Sequence, residues 1–174
     1  VFDRVESAEI GPIVQAWAKG EDNNGIIVMG QTTNTWMVEG FGNDLDNPGV
    51  VTRRPRLVVE YLPVRGRPVV FQQGVDGYTG CSMLRVGQDG NTTLGSDVDV
   101  TTSGAYLDGG TGPGDPEYDA LIKFENIFAT GQITSQTQIL KAYLTLTTPP
   151  SSNAAAAKSK GPYQAHRMLV DVDW

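Results

Sequence analysis

Acidic residues gather in the middle of the chain, and carboxylate oxygens are natural ligands for hard cations. Ca²⁺ takes six to eight oxygen ligands from carboxylates and loop carbonyls. The candidate ligands are Asp97, Asp99, Asp108, Asp115 and Asp119, with Glu117 among them. They surround a stretch rich in Gly and Pro. The sequence favours solvated turn residues here, and the alternative is a calcium site formed by these residues. Neither this stretch nor the pair Asp44 and Asp46 completes the spacing of an EF-hand loop.

Catalysis is a weaker interpretation of the reactive residues. Paired carboxylates could serve a glycosidase, but no catalytic signature accompanies them. A Cys–His nucleophile or a Ser–His–Asp triad would need His166, the only histidine, and Cys81 is the only cysteine. His166 lies in an alternating run, so we expect a partly buried structural side chain. Cys81 lies in CSMLRV, which predicts a small buried side chain. We therefore expect that the protein is not an enzyme.

Sugars are the remaining ligand class that particular residues suggest. Trp36 and Tyr106 lie in polar surroundings, where aromatic rings could stack on a glycan, whereas Trp17 is predicted to be a core residue. Asn91 begins the sequence Asn-Thr-Thr, an acceptor for N-linked sugar in a glycosylating compartment. The stretch TTPPSS at 147–152 has the composition that can carry O-linked sugar.

Composition limits the classes of partner. The chain has 174 residues, 20 of them acidic and 13 basic, and its net charge of −7 argues against binding to a phosphate backbone. It contains no apolar run near the roughly 18 residues of a membrane span, so we expect no membrane insertion. The chain begins at Val1 without methionine, which we interpret as a processed product or a segment of something longer.

Two alternating runs between 118 and 148 are the strongest structural signal. In the first, Ala120, Ile122 and Phe124 share one face. In the second, the predicted inward residues are Leu140, Ala142, Leu144 and Leu146, opposite Lys141, Tyr143, Thr145 and Thr147. A period of two is typical of β-strands with one buried and one wet face. We expect Phe124 and Leu144 to be buried on facing strands.

The rest of the chain indicates further short strands and one helix. Ile10, Ile13, Val14 and Trp17 recur at helical spacing and Gly20 follows, which predicts a helix at about 11–19. Leu57, Val59 and Tyr61 are predicted to point inward. The other predicted strands are at about 26–29, 35–41, 69–73, 81–86, 97–101, 104–107 and 166–174. The expected fold class is all-β, a jelly-roll-like antiparallel β-sandwich with one short helix.

Two groups of motifs resemble the DNRLRE-type domain, a jelly-roll module of long secreted and surface proteins. Its closing half is matched by Val14 and Trp17, then Asn24-Gly25, then Pro55, Leu57, Val59 and Tyr61. Its opening half is matched by 71–78 (FQQGVDGY), 120–124 and 142–146. The resemblance covers nearly the whole chain, but the closing half comes first. It implies a closing half at 1–62, a linker at 63–68 and an opening half at 69–174.

This order predicts an assembling protein. Either the two segments pair within one chain as a permuted domain, or each is completed by a neighbouring chain. We expect a non-enzymatic structural subunit of an extracellular or cell-surface assembly, whose partners are copies of itself joined head to tail into a filament. The expected assembly residues are Val1, Phe2, Val5, His166, Met168, Val170, Val172 and Trp174. The alternative is a carbohydrate-binding module of a larger secreted protein.

Overall fold

The structure of the protein is a computed structural model that describes residues 5–30, 36–39, 54–62, 68–87, 106–109, 118–128, 133–147 and 163–170. Within these ranges the chain forms ten strands and one helix. The elements in chain order are β1 (Val5–Glu9), α1 (Gly11–Ala18), β2 (Ile26–Gly30), β3 (Trp36–Glu39), β4 (Arg56–Leu62), β5 (Val69–Gln72), β6 (Cys81–Gly87), β7 (Tyr106–Gly109), β8 (Tyr118–Phe124), β9 (Gln138–Thr147) and β10 (Tyr163–Arg167). The predicted strand at 97–101 lies outside these ranges.

The strands form two antiparallel four-stranded sheets and a separate ribbon. One sheet has the order β1-β9-β4-β5, the other has the order β10-β2-β8-β6, and β3 pairs with β7. The chain moves directly between the sheets from β1 to β2, from β5 to β6, from β8 to β9 and from β9 to β10, and it moves from β2 to β4 by way of β3. The fold is therefore an all-β antiparallel sandwich with one short helix, as the alternation predicted.

A single cluster of buried side chains joins the two sheets. Phe124 on β8 is fully buried and Leu144 on β9 is 1% exposed, and they lie in opposite sheets, as expected. Leu57 and Val59 on β4 are fully buried beside them. Tyr61, also predicted to point inward, is partly buried and packs against the same cluster. Burying a side chain of this size stabilises a fold by about 1.5–3 kcal/mol, so these strands provide much of the stability.

Helix α1 closes one end of the sandwich. It begins with Pro12 in its first turn, where the missing N–H costs nothing, and Glu9 Oε1 accepts the Gly11 N–H at 2.9 Å. It ends in a Schellman motif at Gly20 (φ +99°), in which the Gly20 and Glu21 N–H groups donate to Trp17 O and Ala16 O. Its buried residues include Val14 and Trp17, which confirms the predicted helix and its core role.

A β-bulge changes the predicted face of one residue of β9. The β4–β9 ladder pairs Glu60 with Lys141 and then Tyr61 with Ile139, which leaves Leu140 without a partner. As a result Leu140 is 44% exposed, while Ile139 is 9% exposed. The expectation that Leu140 points into the core is wrong, because an extra residue in one strand reverses the alternation beyond it.

The far end of β9 is enclosed on both faces. Lys141 is exposed, as predicted from its place on the other face of the strand from Ala142. Thr145 and Thr147, which were predicted to be wet, are only 7% and 6% exposed. Ser7 on the neighbouring strand β1 contacts this face, with its Oγ 3.2 Å from Thr145 Oγ1. The alternation shows which face of the strand is polar but not whether another part of the chain covers that face, so the sequence could not show that these threonines are covered.

The last strand is shorter than predicted and presents its other face. β10 ends at Arg167, and the described residues 168–170 lie beyond it. Ala165 packs against the core cluster, whereas His166 is exposed and its Nε2 lies 3.2 Å from Gln164 Oε1. The expectation that His166 is partly buried is wrong, because the even-numbered residues of this strand face solvent.

Candidate assembly interface

The two segments of the chain are interleaved in both sheets. Six of the seven described ladders join a strand of segment 1–62 to a strand of segment 69–174, and only β6–β8 lies within one segment. In the structure both segments pair within one chain. Every described strand except β6 has a ladder partner in the other segment, so each segment supplies hydrogen-bonding partners that the other requires.

The interface between the segments is also the centre of the core. On the β4–β9 ladder, Leu57 lies opposite Leu144 and Val59 lies opposite Ala142, and all four side chains are at most 1% exposed. If the segments separated, these apolar side chains would face water, at a cost of about 1.5–3 kcal/mol for each Val or Leu. The segments are therefore held together as the halves of a hydrophobic core, rather than as docked domains.

Polar contacts fix the position of one segment on the other. Gln15 on α1 donates from Nε2 to Thr137 O at 3.3 Å and accepts the Ile139 N–H at 2.9 Å, so it holds the start of β9. Asn23 donates from Nδ2 to Phe124 O at 2.7 Å at the end of β8. Because these bonds join groups about a hundred residues apart, they specify how the segments meet.

The two segments are joined between β4 and β5, which pair with each other and whose joined ends are exposed. β4 and β5 pair antiparallel up to Val59 opposite Val69, and Leu62 and Pro68 beyond that pair are exposed. Most of the predicted linker, 63–67, lies outside the described residues. The linker thus joins two neighbouring strands whose described ends, Leu62 and Pro68, are exposed.

Each of the two sheets has two edge strands. β5 and β6 are the last strands of their sheets and are joined by residues 73–80, so they share one side. β1 and β10 are the strands at the opposite ends, and among the described strands β1 pairs only with β9 and β10 only with β2. Edge strands present backbone groups that another strand can pair with.

Strand β10 is anchored at its end and is followed by exposed apolar residues. Arg167 forms an ion pair with Glu21 in the turn after α1, and the Met168 N–H donates to Gly25 O at 3.0 Å. Leu169 and Val170 are 75% and 69% exposed. Large apolar side chains this exposed favour contact with another surface.

The predicted assembly residues are only partly described. Val5 lies in β1 opposite Thr147, and His166 lies on β10 with its side chain in solvent. Met168 is partly buried and Val170 is exposed. The others, Val1, Phe2, Val172 and Trp174, lie outside the described residues.

The predicted calcium ligands fall mainly outside the described part of the chain. Asp97, Asp99 and Asp115 belong to undescribed ranges, as does the glycosylation candidate Asn91. Asp108 lies on β7 opposite Met37, and Asp119 lies on β8 opposite Val86. Within the ranges that the structure covers, no group of three or more His, Cys, Asp or Glu side chains is arranged to hold a metal ion.

The two aromatic candidates for glycan stacking belong to the same ribbon. Trp36 on β3 is opposite Gly109, and Tyr106 on β7 is opposite Glu39, so their backbones lie at the two ends of the β3–β7 ladder. Three strand positions at about 3.4 Å each separate them along the ribbon.

Cys81 and His166 lie too far apart to form a catalytic pair. Cys81 begins β6 and His166 lies on β10, at the opposite edge of the same sheet. Three inter-strand spacings of about 4.8 Å separate the two strands. Cys81 is 6% exposed, as predicted, and burial raises the pKa of its thiol well above the usual value.

Tyr78 stabilises the turn between β5 and β6, and the sequence did not predict this role. Its hydroxyl donates to Glu125 O at 2.9 Å, and its ring meets Phe71 edge to face with centroids 5.3 Å apart. Burial raises the pKa of Tyr78, with smaller contributions from Cys81 and Glu125. The sequence GVDG before Tyr78 predicts a turn, but it does not predict that Tyr78 contacts Glu125 and Phe71.

Among the described residues, no helix is long and apolar enough to cross a membrane. Compared with known protein families, curated proteins and solved structures, the chain gives no match.

Proposed function

We propose that the protein is a non-enzymatic structural subunit of an extracellular or cell-surface assembly. In this assembly, segment 1–62 of one chain and segment 69–174 of the next chain complete the same sandwich. Repetition of that contact joins copies head to tail into a filament.

The observation that carries the proposal is the interleaving of the segments. Because six of the seven described ladders cross between the segments, the sandwich is built from two pieces that need each other. Exchange between chains would keep nearly all of these contacts and alter only the β4–β5 hairpin, whose loop is the linker. Exchange of identical elements through a hinge loop is a low-cost route to assembly, and a contact that does not close on itself gives a filament.

The location of the assembly is supported by the resemblance to the DNRLRE-type module. That module belongs to secreted and surface proteins, and two segments that resemble its halves occur here in inverted order. In the proposed filament, segment 69–174 of one chain meets segment 1–62 of the next chain at each joint. Together these two segments resemble one complete module with its halves in the usual order. The outer edge strands β1 and β10, with exposed Leu169 and Val170, offer a second surface for contact between copies.

Paired cysteine variants test whether the ladder β1–β9 forms between chains. Ser7 and Thr145 lie opposite each other with their oxygens 3.2 Å apart, a position where cysteines can join. Chains with Ser7→Cys are mixed with chains with Thr145→Cys, assembled and oxidised. We expect a disulfide-linked species of twice the 18.7 kDa chain mass, and a covalent ladder from chains that carry both substitutions.

The matched control uses the one ladder that lies within a segment. Ser82 on β6 is opposite Lys123 on β8, so a mixture of Ser82→Cys and Lys123→Cys chains should stay unlinked. Wild-type chains measure the background from buried Cys81. If the Ser7→Cys/Thr145→Cys double variant yields only monomers, and electron microscopy shows uniform particles of one chain, the proposal is wrong.

The ribbon β3–β7 favours a second function, binding of a glycan. It carries Trp36 and Tyr106, which come from different segments, at the two ends of one short ladder. Aromatic rings are the side chains that stack on sugars in the alternative of a carbohydrate-binding module. Saturable binding to a glycan array that is lost in Trp36→Ala would support this function. Retained binding in Trp36→Ala and Tyr106→Ala would exclude this ribbon as the site.

A further inference from the structure

Arg54 is a charged side chain enclosed inside the protein. It lies two residues before β4 and is 1% exposed. Its backbone carbonyl accepts a buried hydrogen bond from Gln72 Nε2 at 2.8 Å, and its Nη1 donates to Gln73 O at 2.9 Å. The turn that follows β5 therefore holds this arginine at both its backbone and its side chain.

The turn is shaped around the guanidinium. Gly74 has φ +81°, and a Cβ at this position would lie 2.8 Å from Arg54 Nη1. A side chain at residue 74 would therefore displace Arg54, in addition to straining the backbone. Gln73 Oε1 accepts the Cys81 N–H at 3.2 Å, which fixes the other end of the turn. These contacts form a built cradle in which the arginine cannot easily move.

Two of the three guanidinium nitrogens have no hydrogen-bond partner in the described part of the chain. Nε and Nη2 are buried and make no hydrogen bond in the structure. Their N–H bonds point in parallel from one edge of the planar group, the edge that binds two oxygens of a carboxylate side by side. Among the described residues, no Asp or Glu forms an ion pair with Arg54.

An unpaired charge in this position would be costly. Burial lowers the pKa of Arg54, because water no longer solvates the cation. Arginine stays protonated in proteins, so Arg54 remains charged and the free-energy cost of burying its charge remains. A buried guanidinium persists when an anion with matched geometry takes the place of water.

We propose that the Nε–Nη2 edge of Arg54 is a receptor for one carboxylate, bound by two parallel hydrogen bonds. A single carboxylate balances the single charge, whereas a phosphate dianion would leave excess negative charge in a chain that is already at −7. The carboxylate can come from a free organic acid or from an acidic side chain of this chain or a neighbouring copy. This proposal does not depend on the proposed assembly.

Thermal unfolding of the full chain tests the pair. Arg54→Gln should lower Tm by roughly 10 °C, because it leaves a buried carboxylate unpaired. The control Arg56→Gln changes an exposed arginine two residues away and should shift Tm by no more than about 2 °C. If Arg54→Gln leaves Tm unchanged or higher and acetate does not raise the Tm of wild type, the edge binds no carboxylate and the proposal is wrong.

The source of the carboxylate follows from two further measurements. Protein dialysed into chloride is titrated with acetate at constant ionic strength. A saturable rise in Tm for wild type but not for Arg54→Gln identifies a free acid. No response to acetate, together with a lower Tm in both Arg54→Gln and Arg54→Lys, identifies a carboxylate of a protein side chain. A smaller assembly in these variants than in wild type places that side chain on a neighbouring copy.

A second variant keeps the proposal testable if Arg54→Gln does not fold. Arg54→Lys retains the charge and can still donate to Gln73 O, but it lacks the paired edge. We expect it to unfold below the wild-type Tm, by roughly half the loss that full removal of the pair predicts. A Tm equal to that of wild type both with and without acetate would show that the edge binds no carboxylate and would overturn the proposal.

Discussion

At the scale of single residues, position along a strand determines exposure only as far as the ladder stays regular. Alternation correctly predicted that Leu57, Val59 and Leu144 are buried. It failed at Leu140, because a bulge is a property of two paired strands and leaves no mark on one of them. Arg54 was not predicted as a site for a similar reason, since the turn that encloses it begins nearly twenty residues later.

The bulge makes a residue-level prediction. Ile139→Ala should lower the free energy of unfolding by roughly 2–4 kcal/mol, because it removes methyl groups from the core. Leu140→Ala, the neighbouring and matched truncation, should cost less than about 1 kcal/mol, because Leu140 is 44% exposed. Denaturant unfolding measures both. A larger loss for Leu140→Ala would place the register one residue away from the one described here.

The buried thiol and phenol predict how stability changes with pH. Burial raises the pKa of both Cys81 and Tyr78, so the unfolded chain loses these protons at lower pH than the native protein does. Their contribution is fully present below the usual values of 9.0 and 10.0, and it is lost as pH rises beyond them. Tm should therefore fall between about pH 9 and 11. The double variant Cys81→Ala/Tyr78→Phe should fall less steeply, and equal slopes would contradict this assignment.

At the scale of elements, the sequence predicts features that depend on neighbouring residues, but it does not predict features that depend on pairing between distant strands. The helix was predicted because its stop signal at Gly20 and its apolar spacing are local. The end of β10 at Arg167 could not be predicted, because the alternation continues to Trp174 while the pairing partner β2 does not. The sheet order was likewise invisible, since it depends on contacts between residues far apart in the sequence.

The attachment of α1 to β9 gives an element-level prediction. Gln15 makes two of the bonds that join the helix to the start of β9, and the Gln136 N–H donates another to Ala18 O at 2.6 Å. Gln15→Ala should cost roughly 1–3 kcal/mol, because it leaves Thr137 O and the Ile139 N–H without these partners. Lys19→Ala, an exposed position just after the same helix, is the control and should stay within about 0.5 kcal/mol. Equal losses in urea unfolding would show that Gln15 does not hold β9.

At the scale of the whole molecule, the calcium hypothesis makes a prediction that needs no detailed geometry. If Ca²⁺ binds the acidic stretch that includes Asp97 and Asp99, it stabilises only the native state, so removing it with EDTA should lower Tm. Adding back Ca²⁺ should restore the original value, while Mg²⁺ serves as the control for a general effect of charge. An unfolding curve that EDTA leaves unchanged would remove calcium from consideration.

The pairing of β1 with β9 also has a consequence for the time at which the protein can fold. Ser7 and Thr145 are 138 residues apart, so β1 has no partner in its own chain until β9 has been synthesised. At about 5–20 residues per second, translation leaves the first strand waiting for roughly 7 to 30 s. During that interval a finished chain nearby can supply β9 first. The rate of synthesis and the local concentration of chains would then decide whether a newly made chain closes on itself or joins its neighbour.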